Sequence, residues 1–515
     1  MTRSGQFSGR RTGVSLLVAV VVTAAIATAP TPAGLDEAAQ LTLATMALAA
    51  ILWVTKALPL PVTALLIPVA LTIFGIYSDM EAALSGFADP LIFLFIAGFM
   101  LAKALQTHDI DRRLALYLIN WMGRSPRLLI LAIMLATAFL SMWVSNTATT
   151  AMMLPVALGV LAEVVGRETP DDEVSNMRVA TLLGTAYAAS VGGIGTLIGT
   201  PPNVVAVAFL DRLVDVEISF VQWLTIGLPV VVVTLPLTWY VLTFWLYPPE
   251  MDDVTDAQAQ AGESLSAQGE FSPRARRAVY IFAATAGLWV LGGLGFLFEG
   301  VLPSAWQVTL FGGEATNLFG LEGHRGILYF VVVGLLAIPA LVVADADDWE
   351  NLVDIDWGTI VLFGGGLSLA DALRNTDATA WLADSLFDAV VGAPLILVVL
   401  VIVVFAILIT ELTSNTATTT ILAPILIGLG SVLAGTLGID AVPAAVFLTV
   451  TGAVATSFAF ALPVATPPNA IVFGSGYLDQ SDMIRAGIVL NVLMTLVLTV
   501  LVVILFSFVW PSVLW

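Results

Sequence analysis

The chain contains no cysteine, so a disulfide framework, a thiol nucleophile and a cysteine-ligated metal are all excluded. Histidine occurs only as His108 and His324, both near the ends of predicted spans, which removes histidine-based zinc sites and catalytic triads. Charge is scarce, at 11% of the 515 residues. Of the 18 basic residues only Lys56 and Lys103 are lysines, against 38 acidic residues and a formal net charge of −20. No nucleic-acid partner is expected from that balance. Acidic, lysine-poor loops stay hydrated where abundant ions screen their repulsion, which reads as a halophile's salt-rich cytoplasm.

What the sequence has instead is apolar length. Hydrophobic residues make up 59% of it, the mean hydropathy is +0.99, and runs of membrane-spanning length recur throughout. These features predict an all-α polytopic protein whose solvent is a lipid bilayer.

Spans are predicted over 14–29, 37–55, 58–76 and 90–106, followed by a basic loop carrying Arg112, Arg113, Arg124 and Arg127. The stretch 128–161 is too long for one crossing of roughly 20 residues. Arginines flank it on both sides, Arg124 and Arg127 before and Arg167 and Arg178 after. If basic loops stay in the cytoplasm, it enters and leaves by one face, as a re-entrant hairpin. The stretch 179–210 then crosses outward, 222–247 returns, and 248–278 is a cytoplasmic linker. The second half crosses at 279–298, 326–344 and 357–374. A second hairpin over 393–434, flanked by Asp384 and Asp388, enters from outside, and a broken helix follows over 443–476. The map gives about 11 spans in a plasma-membrane protein with a cytoplasmic N-terminus. An extra span lies in 1–36, a first inverted repeat in 37–247 and a second in 279–515. It places 15 of the 18 basic residues inside, with Arg212, Arg325 and Arg374 as exceptions. The acidic loop from Asp345 to Asp356 is cytoplasmic on this map without basic support.

Both hairpins carry the same polar hexad, Ser145-Asn146-Thr147-Ala148-Thr149-Thr150 and Ser414-Asn415-Thr416-Ala417-Thr418-Thr419, with Pro155 and Pro424 at one offset beyond. An amide and four hydroxyls are costly in lipid-soluble sequence, so their polarity serves a ligand or a cavity. A second pair of motifs follows at matched distances: Gly199-Thr200-Pro201-Pro202-Asn203 and Ala465-Thr466-Pro467-Pro468-Asn469. Neither segment continues as a helix, because the first proline drives the preceding residue out of the helical region and the second lacks a donor. Repeated motifs with opposite faces of entry describe the inverted-topology repeat of secondary transporters. Oxygens freed at the breaks suit sodium, and half-helix N-termini suit an anion. No arginine or lysine falls at the four interruptions, so helix ends and co-bound cations are expected to neutralise an anionic substrate.

These doubled Ser-Asn-Thr tips and paired Thr-Pro-Pro-Asn breaks resemble the divalent anion/sodium symporter family, whose members carry dicarboxylates, citrate and sulfate. The resemblance covers roughly 37–510. It implies an elevator mechanism and a homodimer. It also implies one sodium site from Ser141, Ser145, Asn146 and Gly199 and another from Thr410, Ser414, Asn415 and Ala465. The substrate would lie against Asn146, Thr147, Asn415 and Thr416, with Thr200, Pro201, Thr466 and Pro467 closing the cavity. No cofactor is implied beyond sodium as coupling ion.

Plainer readings compete at single positions. Buried threonines often bond their own helix backbone. Glu411 interrupts the symmetry, since Met142 occupies its place in the first half; a structural role satisfying backbone donors is expected for it, with tuning of cation or proton coupling as the alternative. Lys103 is expected to snorkel, and Gly364-Gly365-Gly366 to serve helix packing. The function expected is sodium-coupled symport of a small dianion, a C4-dicarboxylate such as succinate or malate. A sulfate symporter or a sodium-independent anion exchanger is the alternative on the same scaffold. A channel lacks a continuous pore in this map, and an enzyme lacks a poised nucleophile or metal.

Overall fold

The structure, a computed structural model, describes residues 9–164, 175–251, 254–379, 381 and 393–510. Arg167, Asp384 and Asp388, which flank the expected hairpins, lie outside these. The described chain is helical, and six of its helices are long and apolar enough to cross a membrane: Glu37–Thr55, Pro90–Thr107, Phe220–Leu246, Leu395–Leu412, Asn415–Gly435 and Gln480–Phe508. Shorter apolar helices include Leu60–Ile73 and Phe330–Val343, each with an internal proline, Pro68 and Pro339.

The fold is the expected inverted repeat with two hairpins and two broken helices. In the first hairpin, Pro126–Ser141 runs to the turn 142–145 and Asn146–Val164 returns. In the second, Leu395–Leu412 and Asn415–Leu437 are the arms. The broken helices are Asn176–Gly193 with Pro201–Val214, and Ala441–Ala455 with Pro467–Phe473. Thr200 and Thr466 adopt extended backbone (φ −145° and −132°), as a following proline requires.

The halves interlock crosswise. Leu60–Ile73 packs on Trp357–Asn375, while its counterpart Phe330–Val343 packs on Pro90–Thr107. Likewise Pro201–Val214 lies against Asn415–Leu437, and Pro467–Phe473 against Asn146–Val164. Close approach at the first of these crossings needs glycine, since a Cβ on Gly365 would fall 2.4 Å from the Ala64 carbonyl oxygen. That accounts for the glycine run 364–366 as packing.

Two segments read as hydrophilic are helical. Ile110–Met122, inside the expected basic loop, buries Asp111, Ala115, Leu116 and Ile119 at helical spacing and leaves Tyr117 and Trp121 exposed. Within the linker, Thr255–Ala267 buries Ala257 and Ala261 and packs on that surface helix, where Gln258 donates to Asn120 O at 2.6 Å. Small apolar residues four apart carried the signal, and the surrounding charge masked it.

Candidate functional site

The two hairpin tips and the two breaks meet at one cavity of about 780 Å³. All eight residues expected at the substrate line it: Asn146, Thr147, Thr200, Pro201, Asn415, Thr416, Thr466 and Pro467. Ser145, Ser414 and Ala465 join them there. Several hexad hydroxyls turn elsewhere. Thr150, Thr418 and Thr419 donate to carbonyls four residues back, as buried threonines in helices do, and so does the next residue, Thr420. What remains facing the cavity is the first turn of each returning arm.

Behind each tip lies a matched set of oxygens. The fully buried Ser141 hydroxyl lies 2.7 Å from both Asn146 Oδ1 and Ala189 O. The Thr410 hydroxyl lies 2.7 Å from Asn415 Oδ1 and 2.9 Å from Thr456 O. A hydroxyl has one proton, so in each cluster at least one oxygen meets another without a hydrogen between them. A cation would relieve that convergence. In the first half it continues around Gly199, where a Cβ would lie 2.5 Å from Gly193 O and 3.0 Å from both Met142 O and Ser141 O. These neutral, hard oxygens fit sodium as cargo. The structure thus brings Ser141, Asn146 and Gly199 together, and Thr410 with Asn415. Ser145, Ser414 and Ala465 lie on the cavity side.

Each break is held by the asparagine that ends its motif, to which the sequence reading gave no role. Asn203 Nδ2 donates to Gly193 O at 2.9 Å and to Thr196 O at 2.8 Å. Asn469 Nδ2 donates to Ala459 O at 3.0 Å and to Leu462 O at 3.1 Å. The separations, ten and seven residues, are identical in the two halves. Their recurrence in both motifs was the available signal.

Anion donors are not evenly shared. The helices from Asn146 and Asn415 begin with N–H groups that lack intrahelical acceptors, whereas Pro201, Pro202, Pro467 and Pro468 offer none. Hairpin tips therefore supply N–H donors and all four helix ends contribute dipoles. No arginine or lysine falls at the four interruptions, as expected, but helix ends and co-bound cations are not the whole of the positive charge: Lys56, from outside the motifs, lines the cavity and donates to Val464 O at 3.2 Å. Nor does Lys103 simply snorkel; it pairs with Asp354 at 2.6 Å. That pair lines a smaller cavity of about 300 Å³, which shares Ser145, Thr147 and Asp356 with the first.

Glu411 makes the contacts expected of a structural role. Its carboxylate accepts the N–H groups of Ala461 and Leu462 at 2.8 and 3.1 Å, tying the hairpin to the second break.

Hairpins, broken helices and a cavity at their junction that both hexads line define a multi-pass membrane transporter. The description "Sodium:sulfate symporter transmembrane region" matches residues 11–515, and the chain belongs to that family of divalent anion/sodium symporters. It is 37% identical over 458 residues to an uncharacterized transporter of Haemophilus influenzae, covering 88% of this chain and 89% of that one. It is 34% identical over 457 residues to the sodium-dependent dicarboxylate transporter SdcS of Staphylococcus saprophyticus, covering 88% and 83%. Staphylococcus aureus SdcS (strain USA300) is 32% identical over 468 residues, covering 90% and 84%. Among solved structures, the Alcanivorax borkumensis YdaH transporter shares the fold, with a TM-score of 0.54 and 16% identity over 83% of this chain and 87% of that one.

Proposed function

We propose that the protein is a sodium-coupled symporter that carries a C4-dicarboxylate such as succinate or malate. The observation carrying this reading is the single cavity lined by both hexads and both breaks, with an oxygen cluster behind each tip. Sodium would sit at Ser141, Asn146 and the carbonyls around Gly199, and at Thr410, Asn415 and Thr456 O. The dianion would lie across Asn146, Thr147, Asn415 and Thr416, where amides, hydroxyls and first-turn N–H groups converge. The sodium-dependent dicarboxylate relatives support this substrate class.

Hairpins and broken helices are proposed to move together against the remaining helices in an elevator motion, with the protein a homodimer in the plasma membrane. Lys56 and Asp356 line this cavity and the Lys103–Asp354 pair the adjoining one, and this side is proposed to face the cytoplasm, following the expected topology.

The test is uptake of radiolabelled succinate into proteoliposomes under an inward sodium gradient and under an equal potassium gradient, with sulfate and citrate as competitors. Sodium-driven accumulation blocked by dicarboxylates is expected. Uptake indifferent to sodium but stimulated by internal dicarboxylate would make the protein an exchanger, and sulfate transport without succinate transport would replace the substrate.

A further inference from the structure

Amides, hydroxyls and helix ends surround the cavity, yet among its described lining residues one side chain carries a full positive charge, Lys56. Its position is set by backbone geometry. Glu37–Thr55 ends at Lys56 in the left-handed region, φ 51° and ψ 33°, which is uncommon for a residue with a side chain and breaks the helix there. The turn is fixed on both sides. Trp53, fully buried, donates its indole N–H to Leu60 O at 3.2 Å, and Thr413 beside the second tip donates its hydroxyl to Trp53 O at 3.3 Å. One ammonium proton reaches Val464 O, at the residue before Ala465. An ammonium carries three donors, so others remain for a ligand in the cavity.

Lys56 and the tips belong to different parts of the fold. Glu37–Thr55 packs mainly on Gly9–Thr28 and Leu60–Ile73, and less on Trp357–Asn375 and on the second hairpin's arm Asn415–Leu437, while the amides and hydroxyls lie on the hairpins and breaks. Any displacement of the hairpins along these helices separates Lys56 from the substrate. We propose that Lys56 is a specificity-determining residue: its ammonium binds one carboxylate of the dianion while the cavity is open on its side, and loses it when the hairpins move. The inference rests on the dianion-symport reading above. Its consequence is asymmetry, since Lys56 sets affinity at the membrane face beside it and leaves the opposite face unaffected.

Lys56→Gln and Lys56→Arg would be reconstituted, and succinate half-saturation measured separately from each face by zero-trans uptake and efflux in oriented proteoliposomes. Losing one charge-assisted contact at a partly wet site raises half-saturation by about tenfold. That rise is expected for Lys56→Gln at the face beside Lys56 only, with Lys56→Arg within about twofold of the parent. Monomethyl succinate, with one charge fewer, should lose less than succinate. Unchanged half-saturation at both faces, or an equal rise at both, overturns the proposal. Should Lys56→Gln not fold, the arginine variant and the parent's preference for succinate over its monomethyl ester at each face decide the same question. A parent protein that transports no succinate defeats the symport reading instead, and the comparison then runs with sulfate.

Discussion

Asn491 donates its side-chain amide to the Glu411 carboxylate at 2.6 Å. Together with the N–H groups of Ala461 and Leu462, it gives that buried carboxylate three donors. The asparagines that end the two breaks align Leu462 with Thr196, and the hexads align Glu411 with Met142, each three residues before its serine. In the first half the Thr196 hydroxyl donates to the Met142 carbonyl. Both halves thus clamp a break to a hairpin tip, one through backbone and hydroxyl, the other through a carboxylate.

Removing that carboxylate strands its donors. Glu411→Ala should lower the stability of the detergent-solubilised protein by about 3 kcal/mol, and Glu411→Gln by less, because one amide oxygen still accepts. Thermal unfolding followed by tryptophan fluorescence reads this directly. An unchanged melting temperature with abolished uptake would assign Glu411 to coupling instead.

Asn146→Ala and Asn415→Ala each delete the amide oxygen approached by a buried hydroxyl without opening a packed core. Both should abolish succinate uptake while the protein elutes as a folded species. Gly199→Ala is a sharper probe of the cation, since its Cβ would fall 2.5 Å from Gly193 O. It should raise half-saturation for sodium more than for succinate. Normal transport by both asparagine variants would sink the site.

Asp111 is buried under the surface helix, and burial pushes its carboxyl up to about 6 although it accepts the Arg112 N–H at 2.7 Å. Below about pH 4 the group is protonated in both folded and unfolded states, so it contributes nothing. As pH rises through 4 to 6 the unfolded chain ionises first, and stability falls. The loss approaches about 3 kcal/mol, two pKa units at about 1.4 kcal/mol each. Melting temperatures between pH 4 and 7 should show this step in the parent, and Asp111→Asn should flatten it.

The hairpins and breaks were legible because polar motifs repeat in apolar sequence, and such polarity has few uses in lipid. Asn146 stood out for the same reason, and Ser141 was placed with it through the family resemblance. The particular carbonyl oxygens could not be placed, since Ala189, Gly193 and Thr456 contribute backbone oxygens that no side chain marks. Lys56 was missed because it is distant in sequence from every interruption and reaches the cavity only through the crosswise packing of the halves. The helix Ile110–Met122 was obscured by its arginines, which mark topology and say nothing of period.

The three exceptions to the positive-inside map all have acidic partners: Arg212 with Asp89 and Asp371, Arg325 with Glu217, and Arg374 with Asp215 at 2.7 Å. Arg212 ends the helix beyond the first break, while Asp89 caps Pro90–Thr107 and accepts the Leu91 N–H at 2.8 Å. Asp89 is 4% exposed and Arg212 20%, with 2.9 Å between them, so removing the guanidinium leaves a buried charge uncompensated. Arg212→Gln should cost about 3–5 kcal/mol, whereas the double variant with Asp89→Asn should recover the part owed to Asp89, the more deeply buried of its two partners. If the broken helix travels with the hairpins, this pair opens in every cycle. The double variant, stable but untethered, should then transport at least as fast as the parent. Restored stability with lost transport would mean that the two helices stay together and that the moving unit is drawn elsewhere.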